Sequence, residues 1–172
     1  MKIVDEKLET RNLGVKTISI NIDTYDEYNE VENAIKETEA EYLVLKIPSI
    51  RTDLTPLAHK FGYIYVEDMV FMEHDLHEIQ RTSLQQRLYD SVKAELMQQD
   101  DYNVLYDEIA RGSFSFDRIS NDPYFGQNIA NRRFLNWLND EKERGAEFWK
   151  MCMNGEMRGF FTLREIRPQI YD

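Results

Sequence analysis

The pattern of hydrophobic and polar residues in the first half of the chain predicts strands and helices in alternation. Ile18, Ile20 and Ile22 alternate with polar residues, which predicts a strand over residues 15–22 with one buried face. Residues 26–38 are acidic and carry a narrow apolar stripe, which is typical of a surface helix. Residues 41–47 are almost continuously apolar, so we expect a central strand that is covered on both faces.

A short helix and an extended segment are predicted next. Pro48 ends the apolar strand, Thr52 or Asp53 can cap a short helix, and Gly62 can terminate it. Residues 63–76 are rich in β-branched and aromatic side chains, which predicts two strands or one bent strand. This order indicates a small α/β unit.

The second half reads as two helices followed by a strand hairpin. Val104, Leu105 and Ile109 share one face of a helix that starts near the acidic residues 98–101 and ends before Gly112. A longer helix is expected to start at Asp122-Pro123 and to end at Gly145. Its apolar stripe consists of Ile129, Ala130, Phe134, Trp137 and Leu138. Residues 146–153 and 156–163 then form two strands, and Asn154-Gly155 suits the type I′ turn between them.

Length and composition bound the class of protein. At 172 residues and 20.6 kDa, with 42% hydrophobic residues, the chain can form one domain or two small ones. Hydrophobic periodicity weakens between Leu76 and Leu88, so we expect an N-terminal α/β domain over residues 1–78 and a second domain over residues 79–172.

Charge and cysteine content limit the partners and the compartment. The net charge of −11 opposes binding to nucleic acid and to anionic lipid, and no apolar run approaches the roughly 20 residues of a membrane span. A single cysteine, Cys152, excludes an internal disulfide, and residues 1–10 lack the apolar core of a secretory signal. We therefore predict a cytoplasmic protein, in which Cys152 is a small buried thiol between two methionines.

The histidines offer little catalytic or metal chemistry. His74 and His77 are separated by two residues, but no further Cys or His completes a zinc ligand set, so we predict no metal site. His59 lies on the short helix, where a structural role is the simpler interpretation.

The loop over residues 114–125 combines aromatic and charged side chains, as binding loops commonly do. Arg118 has the geometry to bind a phosphate or carboxylate with two hydrogen bonds. The alternative is that Arg118 pairs with Asp122 while the aromatic residues anchor the loop on the core.

Three segments carry a resemblance to a known family. The loop 118–125, the helix 130–137 and the strand 158–163 resemble the front half of the GNAT superfamily of acetyl-CoA-dependent N-acetyltransferases. Their combination is similar to the branch that acetylates aminosugars on nucleotide carriers, the dTDP-fucosamine acetyltransferases. Residues 9–14 and 57–76 resemble the partial GNAT domain that precedes the transferase domain in that branch.

The resemblance implies a fold, an activity and site residues. The fold is an α/β (α+β) mixed sheet with flanking helices, in which residues 88–96 form a strand, although Leu88, Val92 and Leu96 have helical spacing. The activity is transfer of an acetyl group from acetyl-CoA, as co-substrate, to a small-molecule amine such as an aminosugar. The implied substrate-binding residues are Arg118, Asp122 and Phe125, and the implied cofactor-binding residues are Phe161, Thr162 and Leu163. No catalytic base is identified, because Glu147, Glu156 and Glu165 are equally well explained as outward-facing strand residues.

One departure from the family pattern limits these expectations. In the family a further strand and a glycine-rich turn into a helix hold the pyrophosphate of acetyl-CoA, whereas here no glycine follows Gly159. Enzyme activity is therefore expected only if the natural chain continues beyond residue 172. The alternative is a non-catalytic GNAT-like binding or assembly module, in which the strand edge 159–163 pairs with a second copy or with a missing C-terminal half.

Overall fold

The computed structural model describes residues 1–71, 79–168 and 170–171. Among these residues there are seven α-helices and eight strands. The strands are β1 (Lys2–Asp5), β2 (Thr17–Asn21), β3 (Tyr42–Lys46), β4 (Val92–Leu96), β5 (Glu147–Met153), β6 (Glu156–Leu163), β7 (Glu165–Arg167) and β8 (Ile170–Tyr171). The helices are α1 (Lys7–Leu13), α2 (Tyr28–Glu37), α3 (Thr55–Lys60), α4 (Ser83–Ser91), α5 (Gln99–Ala110), α6 (Arg118–Asn121) and α7 (Gln127–Glu143). The predicted mixture of helices and small sheets is confirmed.

The chain divides into two compact units. Unit 1 comprises Met1–Glu67 and Ser115–Arg133, and unit 2 comprises Asp68–Phe114 and Phe134–Asp172. Residues 115–133 thus group with the N-terminal part of the chain. The predicted boundary between residues 78 and 79 borders the segment 72–78, which lies outside the described residues. The division into domains 1–78 and 79–172 stays a prediction.

The sheet of unit 1 has the strand order β1-β2-β3, with β1 antiparallel and β3 parallel to β2. The expectation that residues 41–47 form the central strand is therefore wrong, because β2 lies between β1 and β3. The charged segment that forms β1 gave no strand signal in the sequence. The expectation of one buried face on β2 is also wrong, since Thr17 and Ser19 are as well buried as Ile20.

Different elements cover the two faces of β2. Ile20 packs in a cluster with Val31 and Ile35 of α2 and with Leu57 of α3. These α2 residues are four apart and so share the helix face that the sequence predicts. On the other face the Ser19 hydroxyl donates to a Glu6 carboxylate oxygen at 2.6 Å, which satisfies a buried polar group.

The extended segment after α3 is not a strand. Residues 63–71 contain no helix or strand, and the rest of the predicted strand, residues 72–76, lies outside the described residues. Residues with high β-propensity form a strand only beside a partner strand. In this segment a side chain takes the place of a partner strand, because the side-chain amide of Asn121 donates a hydrogen bond to the Val66 carbonyl at 3.1 Å.

The main sheet of unit 2 is antiparallel, with the strand order β4-β5-β6. The predicted hairpin is confirmed: Asn154 and Gly155 both have positive φ, 55° and 81°, as a type I′ turn requires. The helices α5 and α7 contribute Leu105, Ile109 and Leu138 to a core cluster that also contains Phe148 of β5. That core lies on one face of the sheet.

The segment 88–96 is both helix and strand. Helix α4 ends at Ser91 and β4 begins at Val92. A capping box between Thr82 and Gln85 fixes the start of α4, because each side chain bonds the other residue's backbone amide. The strand that the family resemblance implies is therefore present over Val92–Leu96.

Two details of the helix predictions are corrected. Asp122-Pro123 does not start α7, because the Asp122 carboxylate accepts the Tyr124 amide at 2.9 Å and forms a turn before the helix. Val104 does not face the core, since it is 51% exposed, whereas Leu105 and Ile109 are buried. The terminators Gly112 and Gly145 have the expected left-handed φ.

None of the described helices combines the length and apolar character needed to cross a membrane.

Candidate functional site

The predicted substrate residues lie in unit 1, around Tyr42 of β3. The Tyr42 hydroxyl donates to a carboxylate oxygen of Asp122 at 2.8 Å, and Asp122 is buried. Phe125 packs edge-on against the Tyr42 ring, with centroids 4.9 Å apart. Burial, together with the hydrogen bond to Asp122, raises the pKa of Tyr42, so the hydroxyl stays a neutral donor. Tyr42, Asp122 and Phe125 form one packed group.

Arg118 belongs to a neighbouring ionic network. Its Nη2 lies 3.0 Å from Glu9, its Nε lies 3.9 Å from Glu67, and its side chain is 13% exposed. Glu67 also accepts the Arg118 backbone amide at 3.1 Å. The ion pair that the sequence suggested between Arg118 and Asp122 is therefore replaced by pairs with residues distant in sequence. The Arg118 Nη1 is buried and makes no hydrogen bond among the described residues.

Glu9 is the shared acceptor of the network. Both of its carboxylate oxygens accept from Arg133, at 2.8 to 3.0 Å, and Arg133 also donates to Asp117 at 2.7 Å. Burial alone would raise the pKa of Glu9, but the hydrogen bonds from Arg133 and the charges of Arg133 and Arg118 hold that pKa below its usual value. Glu9 is therefore ionised near neutral pH.

These contacts define what the network can do. The two guanidiniums are matched by three carboxylates, those of Glu9, Asp117 and Glu67, so an anionic ligand would have to displace one of them to reach Arg118. The contacts give Arg118, Asp122 and Phe125 a structural role in holding residues 115–133 to the sheet of unit 1. Substrate binding by these three residues stays a prediction.

The predicted cofactor residues lie on β6 in unit 2. Phe161 is stacked on Trp149, with centroids 6.3 Å apart and planes 7° apart, and Thr162 and Leu163 are opposite Phe148 and Glu147. Strand β6 is at the edge of its sheet, and no described strand pairs with its outer side. Alternate backbone amides of an edge strand point away from the sheet. The outer side of β6 can therefore bind an extended ligand through its backbone.

A polar groove of about 400 Å³ lies over the other end of the same sheet, lined by Lys93, Glu95, Lys150 and Cys152 among others. The Lys150 ammonium donates to both carboxylate oxygens of Asp101, at 2.8 and 2.9 Å. These hydrogen bonds raise the pKa of Lys150 and so stabilise its protonated form. Cys152 is a free, half-buried thiol.

The remaining candidates from the sequence offer no assembled catalytic group. His59 is exposed on α3, while His74 and His77 lie outside the described residues. Glu147 accepts the Trp149 indole N–H at 3.1 Å, and Glu156 pairs with Arg158. In the part of the chain that the structure describes, no group of three or more His, Cys, Asp or Glu side chains is placed to hold a metal ion.

Sequence reasoning missed Glu9, Tyr42 and Arg133 as parts of one cluster. Glu9 and Arg133 are 124 positions apart, and Tyr42 and Asp122 are 80 apart, so no local spacing relates them.

Comparison of the chain with family models, with curated proteins and with solved structures gave no match.

Proposed function

We propose that this chain is a GNAT-type N-acetyltransferase, or a part of one, which transfers an acetyl group from acetyl-CoA to a small-molecule amine. An aminosugar is the acceptor that the resemblance suggests. The observation that carries the proposal is the antiparallel sheet of unit 2, with strand order β4-β5-β6, in which the helices α5, α6 and α7 lie along the chain between β4 and the β5–β6 hairpin. We assign the activity to the cytoplasm, because the single cysteine allows no internal disulfide.

Acetyl-CoA fits part of the described surface. The outer side of β6 offers backbone donors and acceptors to the acyl arm over Phe161, Thr162 and Leu163. The residues after β6 include no glycine and, where described, form only the short strands β7 and β8. They do not fit the pyrophosphate, which requires free amides at a helix start. The proposal therefore assigns only the acyl arm to these residues.

The chemistry follows from this assignment. Bound acetyl-CoA supplies a thioester that an amine can attack directly. The contribution of this chain is orientation, because backbone groups of a rigid strand hold an acyl arm in one extended conformation. The half-buried Phe161 and Trp149 stack on that sheet and exclude water from part of its surface. No side chain of the described residues is assigned as the base.

The second candidate function is a non-catalytic assembly module that uses the same edge. Strand β6 is eight residues long and contains Met157, Phe160, Phe161 and Leu163. A long apolar edge of this kind pairs readily with another strand. The pairing strand would come from a second copy or from a C-terminal half of the transferase fold.

Calorimetric titration distinguishes the two functions. Acetyl-CoA, acetyl-pantetheine and adenosine 3′,5′-bisphosphate are titrated separately into the 172-residue chain. The transferase proposal predicts micromolar binding of the first two with similar strength, because the acyl arm alone is held, and no binding of the bisphosphate. Absence of heat with acetyl-CoA would contradict the transferase proposal and leave the assembly module.

A further inference from the structure

The sheet of unit 2 has one face that no described helix covers, which we call the open face. The β-sheet register places Leu96, Trp149 and Phe161 side by side on it, and Val92, Met151 and Leu163 lie on the same face. The core cluster of unit 2 contains Phe148 and Met97, which point to the opposite face, and none of these six residues. Val92, Leu96 and Met151 are exposed, and the other three are half-buried. A sheet face with this composition normally packs against another layer.

Helix α4 is a second apolar surface without a covering partner. Leu84 and Leu88 are four residues apart and share one side of the helix, yet they are 57% and 54% exposed. None of the α4 residues is buried. The capping box of Thr82 and Gln85 fixes the start of α4, so the helix is well defined although no described residue buries its two leucines.

The connectivity prevents α4 from covering the open face of its own sheet. Ser91 is the last residue of α4 and Val92 the first residue of β4, so no connecting residue lies between them. A helix that folds back onto the sheet containing the next strand needs a turn of about 2–6 residues. Both apolar surfaces therefore stay uncovered by the described residues of unit 2.

The charges near the two surfaces are complementary. The charged residues of the segment 79–91 are Arg81, Arg87 and Asp90. Two arginines against one aspartate give this segment a net charge of +1, whereas the whole chain carries −11. Glu147 lies beside the open face, opposite Leu163, and is exposed. Approach of α4 to an open face is thus favoured by charge.

We propose that two copies of this chain form a symmetric dimer in which α4 of each copy covers the open face of the other. The arrangement packs helix on sheet and occurs twice about a two-fold axis. It buries Leu84 and Leu88 against Leu96, Met151 and Phe161. The proposal does not depend on acetyl transfer.

Sedimentation velocity between about 1 and 100 µM tests the dimer. We expect the wild-type chain to dimerise, and the double variant Leu84→Glu/Leu88→Glu to self-associate at least about a hundredfold more weakly, because the change acts at both contacts. Gln86→Glu, on the opposite side of α4, is the matched control and should dimerise like the wild type. A monomeric wild type, or a dimer that survives the double variant, would overturn the proposal.

Disulfide trapping identifies the surface and does not require a disrupted helix. In a Cys152→Ser background, chains carrying Leu88→Cys are mixed with chains carrying Met151→Cys and oxidised. A disulfide between the two kinds of chain is expected, and Gln86→Cys in place of Leu88→Cys should give none. If the mixed disulfide fails to form, or forms equally with Gln86→Cys, the proposed contact is wrong, whichever way the double variant folds.

Discussion

Replacing Glu9 by glutamine removes the charge on which two half-buried guanidiniums converge. Arg133 would lose a bidentate partner at 2.8 to 3.0 Å, and Arg118 would lose its closest carboxylate, at 3.0 Å. The three side chains are 13 to 21% exposed, so water replaces little of the lost interaction. Removal of one partner from a buried ion pair costs about 3–5 kcal/mol.

Two remaining contacts make the expected loss of stability in Glu9→Gln smaller than this general cost. Arg133 keeps Asp117 at 2.7 Å, and the glutamine oxygen can still accept one hydrogen bond. We therefore expect a loss of about 2–3 kcal/mol in the free energy of unfolding of unit 1, equivalent for a unit of this size to a Tm lower by roughly 8–24 °C.

Urea denaturation measures this loss with a probe for each unit. Trp137 and Trp149 both belong to unit 2, so tryptophan fluorescence follows unit 2, while far-UV circular dichroism follows both units. The control is Glu156→Gln, since the Glu156–Arg158 pair is 60 to 67% exposed and should change stability by less than about 0.5 kcal/mol. A Glu9→Gln variant as stable as this control would refute the assignment of Glu9 as the centre of the network.

Three further predictions concern pH, one hydrogen bond and one turn. Because the pKa of Glu9 is lower in the folded chain, its contribution to stability is complete above the unfolded pKa of about 4.3 and is lost as pH falls below that value. The free energy of unfolding of Glu9→Gln should therefore fall less steeply with acid pH than that of the wild type. Parallel curves for the two proteins would contradict this. Tyr42→Phe leaves buried Asp122 without its 2.8 Å donor and should cost about 1.5–3 kcal/mol in urea denaturation, whereas a neutral effect would show that the bond contributes nothing. Gly155→Ala forces a side chain onto a φ of 81° and should cost about 1–2 kcal/mol, while Gly126→Ala, where φ is not positive and the space is open, should cost less; equal effects would argue against the type I′ turn.

Local signals explain which parts of the fold the sequence predicts. The hairpin depends on Asn154-Gly155 alone, and the helix α2 on apolar residues one turn apart, so both are found in the predicted places. Glycine terminators such as Gly112 likewise depend on a single backbone conformation. These features require no knowledge of the rest of the chain.

Features that depend on pairing were missed or misassigned. The order of strands in unit 1 depends on β1, whose residues Lys2–Asp5 are two charged and two apolar residues without a period-two pattern. The strand structure expected over residues 63–76 is absent from the described part, residues 63–71, for a related reason, because β-propensity does not supply a neighbouring strand. Segment 88–96 satisfied both patterns because it is a helix that continues directly into a strand.

The candidate site was less predictable than the fold. The sequence grouped Arg118, Asp122 and Phe125 by their positions in one segment, but in the structure their partners are Glu9 and Tyr42, which lie far away in the chain. When the partners are unknown, the sequence alone does not distinguish an arginine in a structural network from an arginine that binds substrate.

Hydrogen exchange of β6 with and without acetyl-CoA tests the central claim most directly. The outward amides among residues 159–163 should exchange rapidly in the free chain and at least about tenfold more slowly with saturating acetyl-CoA, while the edge strand β3 should be unaffected. The measurement is repeated at two protein concentrations, so that self-association is not taken for ligand protection. Unchanged exchange across β6 would contradict the proposal that this strand holds the acyl arm of acetyl-CoA.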